Sequence, residues 1–164
     1  MKKLDDLLKG KVVQHYQNWY VLDEDLTWDL AELHQNVFTI INKNLDIPVV
    51  FCDTCDANKI VSALGEEEAE CLQFASGIYW REVGIVFIFV YDQWLEVMET
   101  LFHELRHVMQ DQDLSFRHHF ISDQKLPYEK RVTEIDAFSY AKEMMEYVRK
   151  NKKDGNEVYE TPTQ

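Results

Sequence analysis

Two histidines and a glutamate have the spacing of a metal-binding catalytic motif, because His103, Glu104 and His107 form the pattern HExxH. On a helix, His103 and His107 are an i, i+4 pair, and their imidazoles lie one above the other on one face. Neutral histidine nitrogens bind Zn²⁺ at about 2.0 to 2.1 Å, and a catalytic zinc site leaves one coordination position to water. Glu104 follows the first histidine, where a base for that water is expected.

The segment around the motif, residues 92–111, has the periodicity of a helix that packs against a core. At 100° per residue its apolar side chains fall on one arc of roughly 160°: Trp94, Leu95, Val97, Met98, Leu101, Phe102, Leu105, Val108 and Met109. His103 and His107 lie roughly opposite this arc, with Glu104 at its edge. The alternative, two surface histidines on an ordinary amphipathic helix, is disfavoured because the apolar segment 84–90 leads directly into the helix.

A second helix, predicted over residues 128–150, offers a third metal ligand. Glu134 projects into the middle of an apolar stripe on this helix. The stripe consists of Ala137, Phe138, Ala141, Met144, Met145 and Val148. A carboxylate on an apolar surface is costly unless it is paired or binds a cation, and a zinc ion held by the two histidines would satisfy Glu134. Two alternatives stay open. Glu134 could form a salt bridge with Arg131, or Glu129 could be the ligand, although a glutamate in a first helical turn also complements the helix dipole.

Other polar residues near these helices are candidates for contacts with a substrate or an oxyanion. Residues 111–127 are polar and are interpreted as connecting structure that borders a cleft. His118 and His119 lie there, and loops beside a site often carry functional groups; the alternative is that they are exposed loop histidines. Tyr128 and Tyr140 are the remaining candidates. Asp136 points about 160° away from Glu134 and is expected to be solvated or to pair with another polar group.

Composition limits the classes of function. A chain of 164 residues with 46% hydrophobic residues can form one domain with a real core. The net charge of −13 argues against nucleic acid as a partner, since that binding depends on clustered Lys and Arg. We find no signal-peptide core and no run of 18 apolar residues, so no membrane association and a cytoplasmic location are expected.

The cysteines support the same expectation of a reducing cytoplasm. Cys52, Cys55 and Cys71 are an odd set that does not suit a secreted disulfide framework. The CDTC sequence has the spacing of a redox pair or of half a zinc knuckle. No second CxxC and no thioredoxin-like pattern accompany it, which favours small, partly buried residues after a strand.

The remaining elements predict an α+β fold with N-terminal helices and a small mixed sheet. Helices are expected at residues 2–20 and 26–44, the second capped by Asp25 or Thr27. Strands are expected at 47–52, 59–64 and 70–75, the last two around an acidic turn at 65–68, with a hairpin formed by 77–80 and 85–91. A single domain would then span residues 1–150, with a helical part (1–46), the sheet (47–92) and the metal-binding helices (93–150). Residues 151–164 are expected to be a frayed tail.

HELRH on a helix, followed by a glutamate in EIDAFSYA on a later helix, resembles the zincin metallopeptidases, and among them the gluzincin branch. The most similar members are small cytoplasmic proteins, the minigluzincins and the ImmA/IrrE-type regulators. The resemblance covers about residues 84–150 and implies a zincin-like fold with one Zn²⁺ bound by His103, His107 and Glu134. It also implies that Glu104 is the general base and acid, and that substrate lies extended along the strand near residues 85–90. Phe138 stands where larger gluzincins have an Asp that supports a ligating histidine.

The resemblance therefore implies a zinc endopeptidase that cleaves a narrow set of protein or peptide substrates inside the cell. One alternative is a zincin-like module without activity, in which the metal is structural or the cleft binds a regulatory partner. Another is an all-helical interaction protein with an accidental HExxH. The apolar residues 85–90 and the position of Glu134 in an apolar stripe argue against the last alternative.

Overall fold

A mixed five-stranded sheet covered by helices on both faces forms the centre of the molecule. The computed structural model describes residues 4–65 and 75–153. In chain order the described elements are α1 (Leu4–Leu8), β1 (Gln14–Tyr16), β2 (Trp19–Val21), α2 (Leu30–Ile41), β3 (Val49–Phe51), α3 (Thr54–Ala63), β4 (Gly77–Trp80), β5 (Ile85–Ile88), α4 (Trp94–Gln112), α5 (His118–Ser122) and α6 (Val132–Lys153). The predicted α+β class with a small mixed sheet is confirmed.

The strand order is β1-β2-β3-β5-β4. The three inner strands run parallel, whereas β1 and β4 pair antiparallel to their neighbours and form the two edges. All four residues of β5 are buried, which explains the continuous apolar run in its sequence. Because β5 lies between β3 and β4, the strand that the resemblance assigned to substrate is not an edge. Among the described strands, the edge on that side is β4.

A separate hydrophobic core lies on each face of the sheet, because alternate side chains of each strand point to opposite faces. Val49 and Phe51 pack with Val86 and Ile88 against α2, α4 and α6. Val50 and its neighbours on the other face pack against α1 and α3. The helix that carries the HExxH motif therefore lies on one face of the sheet, next to edge strand β4.

The prediction of a helix over residues 2–20 is wrong beyond Leu8. The chain there forms a hairpin of β1 and β2, with Gly10 at φ +81° and Gln17 at φ +54°. Neither conformation continues a helix. The predicted strand at 59–64 is also wrong, because these residues belong to α3 and the turn after it. The side chain of Asp53 accepts a hydrogen bond from the amide of Asp56 (2.8 Å) and so caps the start of α3.

The other predicted elements are present with different bounds, and α4 and α6 both start later and end later than predicted. The helix predicted at 26–44 is α2, and its cap is Asp29 rather than Asp25 or Thr27. The strand at 47–52 is β3, and the predicted hairpin consists of β4 and β5. The strand predicted at 70–75 and the acidic turn lie mainly outside the described residues, as does most of the expected tail.

Cys52 and Cys55 agree with the interpretation that they are small residues after a strand rather than a redox pair or half of a zinc knuckle. Cys52 directly follows β3 and is buried, Cys55 is exposed on α3, and both are free thiols. Burial raises the pKa of the Cys52 thiol, and the nearby Asp56 and Asp53 carboxylates raise it further, which makes this thiol a poor nucleophile. Cys71 lies outside the described residues.

Candidate metal site

His103, His107 and Glu134 converge between α4 and α6. Glu134 Oε1 is 3.0 Å from His103 Nε2, and Glu134 Oε2 is 3.2 Å from His107 Nε2. One ligand atom from each of the three residues lies within 4.8 Å of the others. This cluster could hold a metal ion, and its members are the three residues predicted as ligands.

The structure contains neither the predicted alternative of a Glu134–Arg131 salt bridge nor Glu129 as a member of the cluster. Arg131 Nε donates to the carbonyl of Leu126 at 3.1 Å, while Glu134 contacts the two imidazoles. Glu129 is exposed on a short 3₁₀ turn, Tyr128–Lys130, and is not a member of the cluster.

Two helices position the three side chains. His103 and His107 lie on successive turns of α4, with ring centroids 4.9 Å apart, and both are buried rather than on the surface. Glu134 lies in the first turn of α6. That turn is held by Asp123, whose carboxylate accepts hydrogen bonds from the amides of Val132 and Thr133, each at 2.9 Å. The position of Glu134 therefore depends on a cap nine residues upstream of the helix.

Charges in the cluster are strongly coupled. Burial alone would raise the pKa of Glu134, but hydrogen bonds from His103, His107 and Tyr128 hold it well below its usual range. Burial alone would lower the pKa of His107, but the bond to Glu134 and the nearby Glu104 raise it to about 9. The site therefore stabilises a carboxylate next to positive charge, which is the environment that a bound cation provides.

Gln110 connects His107 to α6. His107 Nδ1 is 2.8 Å from Gln110 Oε1, while Gln110 Nε2 donates to Thr133 O at 2.9 Å and to Asp136 Oδ2 at 2.8 Å. Asp136 in turn pairs with Arg106 at 2.8 Å, so the prediction that Asp136 pairs with another polar group is confirmed. The sequence interpretation missed Gln110, although its spacing, three residues after His107, places it on the same helical face.

Glu104 lies beside the cluster, and its two carboxylate oxygens have different neighbours. Its Oε1 accepts a hydrogen bond from the backbone amide of Tyr79 in β4 at 2.9 Å, and its Oε2 is 4.0 Å from His103 Nε2. Burial raises the pKa of Glu104 and Glu134 adds to the rise, although His107 and His103 oppose it. A carboxyl group with a raised pKa is suited to accept and return a proton.

A cleft of about 760 Å³ lies between β4, α4 and α6, and His103 is the cluster residue that lines it. Its lining includes His103 and Glu104 together with Tyr128 and Phe138. Phe138 was expected in the buried stripe of α6, but it is 54% exposed and packs on the His103 ring at 4.4 Å. An accessible space therefore adjoins two members of the HExxH motif.

The four candidates for oxyanion or substrate contacts occupy different places. Tyr128 lies at the cleft and donates to Glu134 Oε1 at 2.8 Å. Tyr140 instead lies under the Arg106 guanidinium, which is 4.6 Å from its ring centroid. His118 and His119 stack on each other at 4.0 Å, and His119 also contacts Phe116; neither lines the cleft. Geometry therefore favours Tyr128 among the four.

Comparisons with known proteins give one match. A family model described as "Protein of unknown function (DUF3920)" matches residues 21–152. No curated protein and no solved structure matches the chain. Within the described residues, no helix combines the length and the apolar character needed to cross a bilayer.

Proposed function

The chain belongs to the DUF3920 family, and we propose that it is a zinc-dependent metallopeptidase with a zincin-like site. The convergence of His103, His107 and Glu134 beside the buried Glu104 carries this proposal. The four residues combine a three-ligand metal cluster with a carboxyl group of raised pKa, and two of them, His103 and Glu104, line the adjoining cleft.

The donor set fits zinc. Two imidazole nitrogens and one carboxylate are the ligands of known catalytic zinc sites with a histidine pair and a glutamate. Gln110 Oε1 faces His107 Nδ1, and because an amide oxygen only accepts hydrogen bonds, Nδ1 carries a proton. Nε2, which faces Glu134, is then the nitrogen that would bind the metal, and binding there would displace the Nε2 proton. Three protein ligands leave one coordination position for water or substrate.

The residues of the cleft suggest how a peptide bond would be hydrolysed. Bound zinc would activate water and polarise the scissile carbonyl. Glu104 Oε2, the oxygen that faces His103, takes the proton of the attacking water and then donates it to the leaving amine. The hydroxyl of Tyr128 borders the same space. Its one proton, donated to Glu134 Oε1 in this structure, would be redirected to the developing oxyanion.

The proposed substrate is a protein or peptide segment in an extended conformation. Edge strand β4 borders the cleft through Gly77. The outward backbone groups at Gly77 can pair with an extended chain, whereas the amide of Tyr79 is bonded to Glu104. A peptide added to β4 would lie over His103 and Glu104. This assignment replaces the one to residues 85–90, which lie inside the sheet.

The proposal is tested by metal content and peptide cleavage together. Elemental analysis of untagged protein is expected to give one zinc per chain, which is lost or strongly weakened in His103→Ala and in Glu134→Ala. Glu104→Gln is expected to retain zinc and to lose cleavage of a mixed quenched-fluorescence peptide library, because it removes the proton acceptor but no ligand.

Each contrary result has a distinct meaning. A chain that binds no zinc contradicts both the metal site and the enzyme. Zinc retained in Glu134→Ala removes Glu134 from the ligand set, and cleavage retained in Glu104→Gln removes Glu104 from the mechanism. A wild type that binds zinc but cleaves no library peptide contradicts the peptidase and favours the non-catalytic zincin-like module.

A further inference from the structure

Tyr79 connects edge strand β4 to the metal-site helix at two points. Its backbone amide donates to Glu104 Oε1 at 2.9 Å, and its hydroxyl donates to Asp111 Oδ2 at 2.7 Å. Glu104 and Asp111 are seven residues apart on α4, a rise of about 10 Å. One residue of the strand is therefore bonded to α4 at two points about two helical turns apart, the first of them within the HExxH motif.

The amide of Tyr79 is free for this contact because β4 is an edge strand. Tyr79 is paired with Val86 of β5 on one side, and in an antiparallel ladder alternate residues direct their N–H groups away from the partner. The N–H of Tyr79 points away from the sheet and toward α4, where the Glu104 carboxylate accepts it. A hydrogen bond to a charged acceptor is stronger than one between neutral groups.

This contact determines which way the Glu104 carboxylate faces. With Oε1 bonded to the strand, Oε2 is the oxygen directed toward the cluster, 4.0 Å from His103 Nε2. We propose that Tyr79 and Asp111 form a positioning pair that fixes the orientation of Glu104 for proton transfer. The catalytic role of Glu104 rests on the proposed function, but the positioning geometry does not.

Asp111 is the anchor of this pair. Its Oδ1 accepts from Arg81 Nη2 at 3.0 Å and from Arg117 Nε at 3.2 Å, in addition to the Tyr79 hydroxyl on Oδ2. Arg81 also belongs to the chain that follows β4, and its guanidinium lies 4.2 Å from the centre of the Phe120 ring. Asp111 therefore holds the end of β4 against α4 through both Tyr79 and Arg81.

The variants that test the pair are Tyr79→Phe and Asp111→Asn in the full-length, zinc-loaded protein. The matched control is Tyr91→Phe, which removes a hydroxyl that donates to Asp23 at 3.0 Å, outside the cleft. Amide hydrogen exchange is measured by NMR at residue 79 and at its neighbours Ile78 and Trp80. Glu104→Gln is added to identify the acceptor of the residue 79 amide.

We expect exchange at residue 79 to be about tenfold faster in Tyr79→Phe and Asp111→Asn, with Ile78 and Trp80 unchanged. In Glu104→Gln the residue 79 amide proton should shift upfield, because a neutral acceptor replaces a charged one. With a cleaved peptide in hand, kcat should fall about tenfold in both positioning variants while KM and zinc content stay constant. Tyr91→Phe should change none of these quantities.

Residue 79 exchange that is unaltered in both variants overturns the proposal, as does an equal increase at all three amides, which indicates general loosening of β4. An unchanged kcat in the variants also overturns it. If the wild type binds zinc but cleaves no peptide, the proposed peptidase fails, and the exchange measurement still decides whether Tyr79 and Asp111 position Glu104.

Discussion

At the scale of single residues, Gln110 is predicted to influence the affinity of the candidate site for a metal. Its amide nitrogen donates to Thr133 O and Asp136 Oδ2, so its oxygen is turned to His107 Nδ1. The amide therefore fixes the tautomer and the ring orientation of His107, and through Thr133 and Asp136 it does so relative to the helix that carries Glu134. Loss of a group that orients a metal ligand typically lowers metal affinity by about ten- to a hundredfold.

Gln110→Ala is predicted to weaken zinc binding by about ten- to a hundredfold. The loss leaves His107 free to adopt the other tautomer and leaves a buried carbonyl at Thr133 without its donor. Competition against a chromophoric chelator measures the affinity. Gln112→Ala, an exposed glutamine on the same helix, is the control. Equal affinities for the Gln110 variant and the wild type would contradict this role.

Tyr128→Phe is predicted to lower kcat by about a hundredfold with little change in KM, because the hydroxyl bonds an oxyanion that exists only in the transition state. Zinc affinity should also fall, by about tenfold, because the same hydroxyl donates to the proposed ligand Glu134, so kcat is compared at saturating zinc. Tyr140→Phe is the matched control, because Tyr140 packs against Arg106 instead. A Tyr128→Phe enzyme with a wild-type kcat would exclude this residue from oxyanion stabilisation.

The sequence identified the candidate ligands more completely than the residues that support them. HExxH is a local pattern, and helical geometry alone brings His103 and His107 together. Glu134 could be inferred because a lone carboxylate in an apolar stripe requires a partner. Tyr79 could not be inferred, because its contact with Glu104 joins segments 25 residues apart and uses a backbone amide, which leaves no trace in residue type.

At the scale of elements, helical periodicity gave a wrong prediction for a segment that forms a strand. The strand that pairs with it lies far away in the sequence. Residues 12–20 match a helix by spacing, yet Val, Tyr and Trp also favour strands. The structure forms β2 there because β3, some 30 residues later, pairs with it in parallel, Trp19 opposite Val49. Gly10 and Gln17 at positive φ then make the turns. Pairing over this distance is not encoded in local periodicity.

The start of α6 is the element boundary that matters most for the site. Asp123 accepts the first two amides of the helix and the Thr133 hydroxyl, the last at 2.7 Å. Asp123→Ala is predicted to lower the free energy of unfolding by about 1 to 2 kcal/mol in urea titrations, and also to weaken zinc binding, because Glu134 lies in the first turn. Asp53→Ala, which removes the cap of α3, should cost similar stability without altering zinc affinity. Equal effects of both variants on zinc would contradict the link between this cap and the site.

The same cap predicts a dependence of stability on pH. Burial would raise the pKa of Asp123, but the hydrogen bonds from the Thr133 hydroxyl and from the two amides lower it below its usual value. A carboxyl group with a lowered folded-state pKa stabilises the fold above its unfolded-state pKa of about 3.9, and this contribution is lost as the pH falls through the folded value. The stability advantage of wild type over Asp123→Asn should therefore be constant above about pH 5 and decline below about pH 4. An advantage that grows on acidification, in urea unfolding across this range, would contradict the assignment.

At the scale of the whole molecule, the sheet order determines where the site can open. The metal-site helix lies beside β4, the edge strand, so a cleft forms between an open edge and two helices. The sequence predicted the hairpin of β4 and β5, and the resemblance assigned substrate to β5, which lies inside the described sheet. Strand order depends on pairing across the whole chain, and an apolar strand sequence indicates burial rather than an edge.

The cluster also predicts that a metal ion links α4 to α6 and so stabilises the whole domain. A ligand at 100 times its dissociation constant adds about 2.7 kcal/mol to the folded state, or about 5 to 10 °C in Tm for a domain of this size. Chelation by EDTA should therefore lower the Tm of the wild type by this amount, measured by calorimetry, and added zinc should restore it. His103→Ala and Glu134→Ala should be insensitive to EDTA, whereas His118→Ala, at an exposed histidine on α5, should respond as the wild type does. An EDTA effect that persists in both ligand variants would place the stabilising metal elsewhere in the chain.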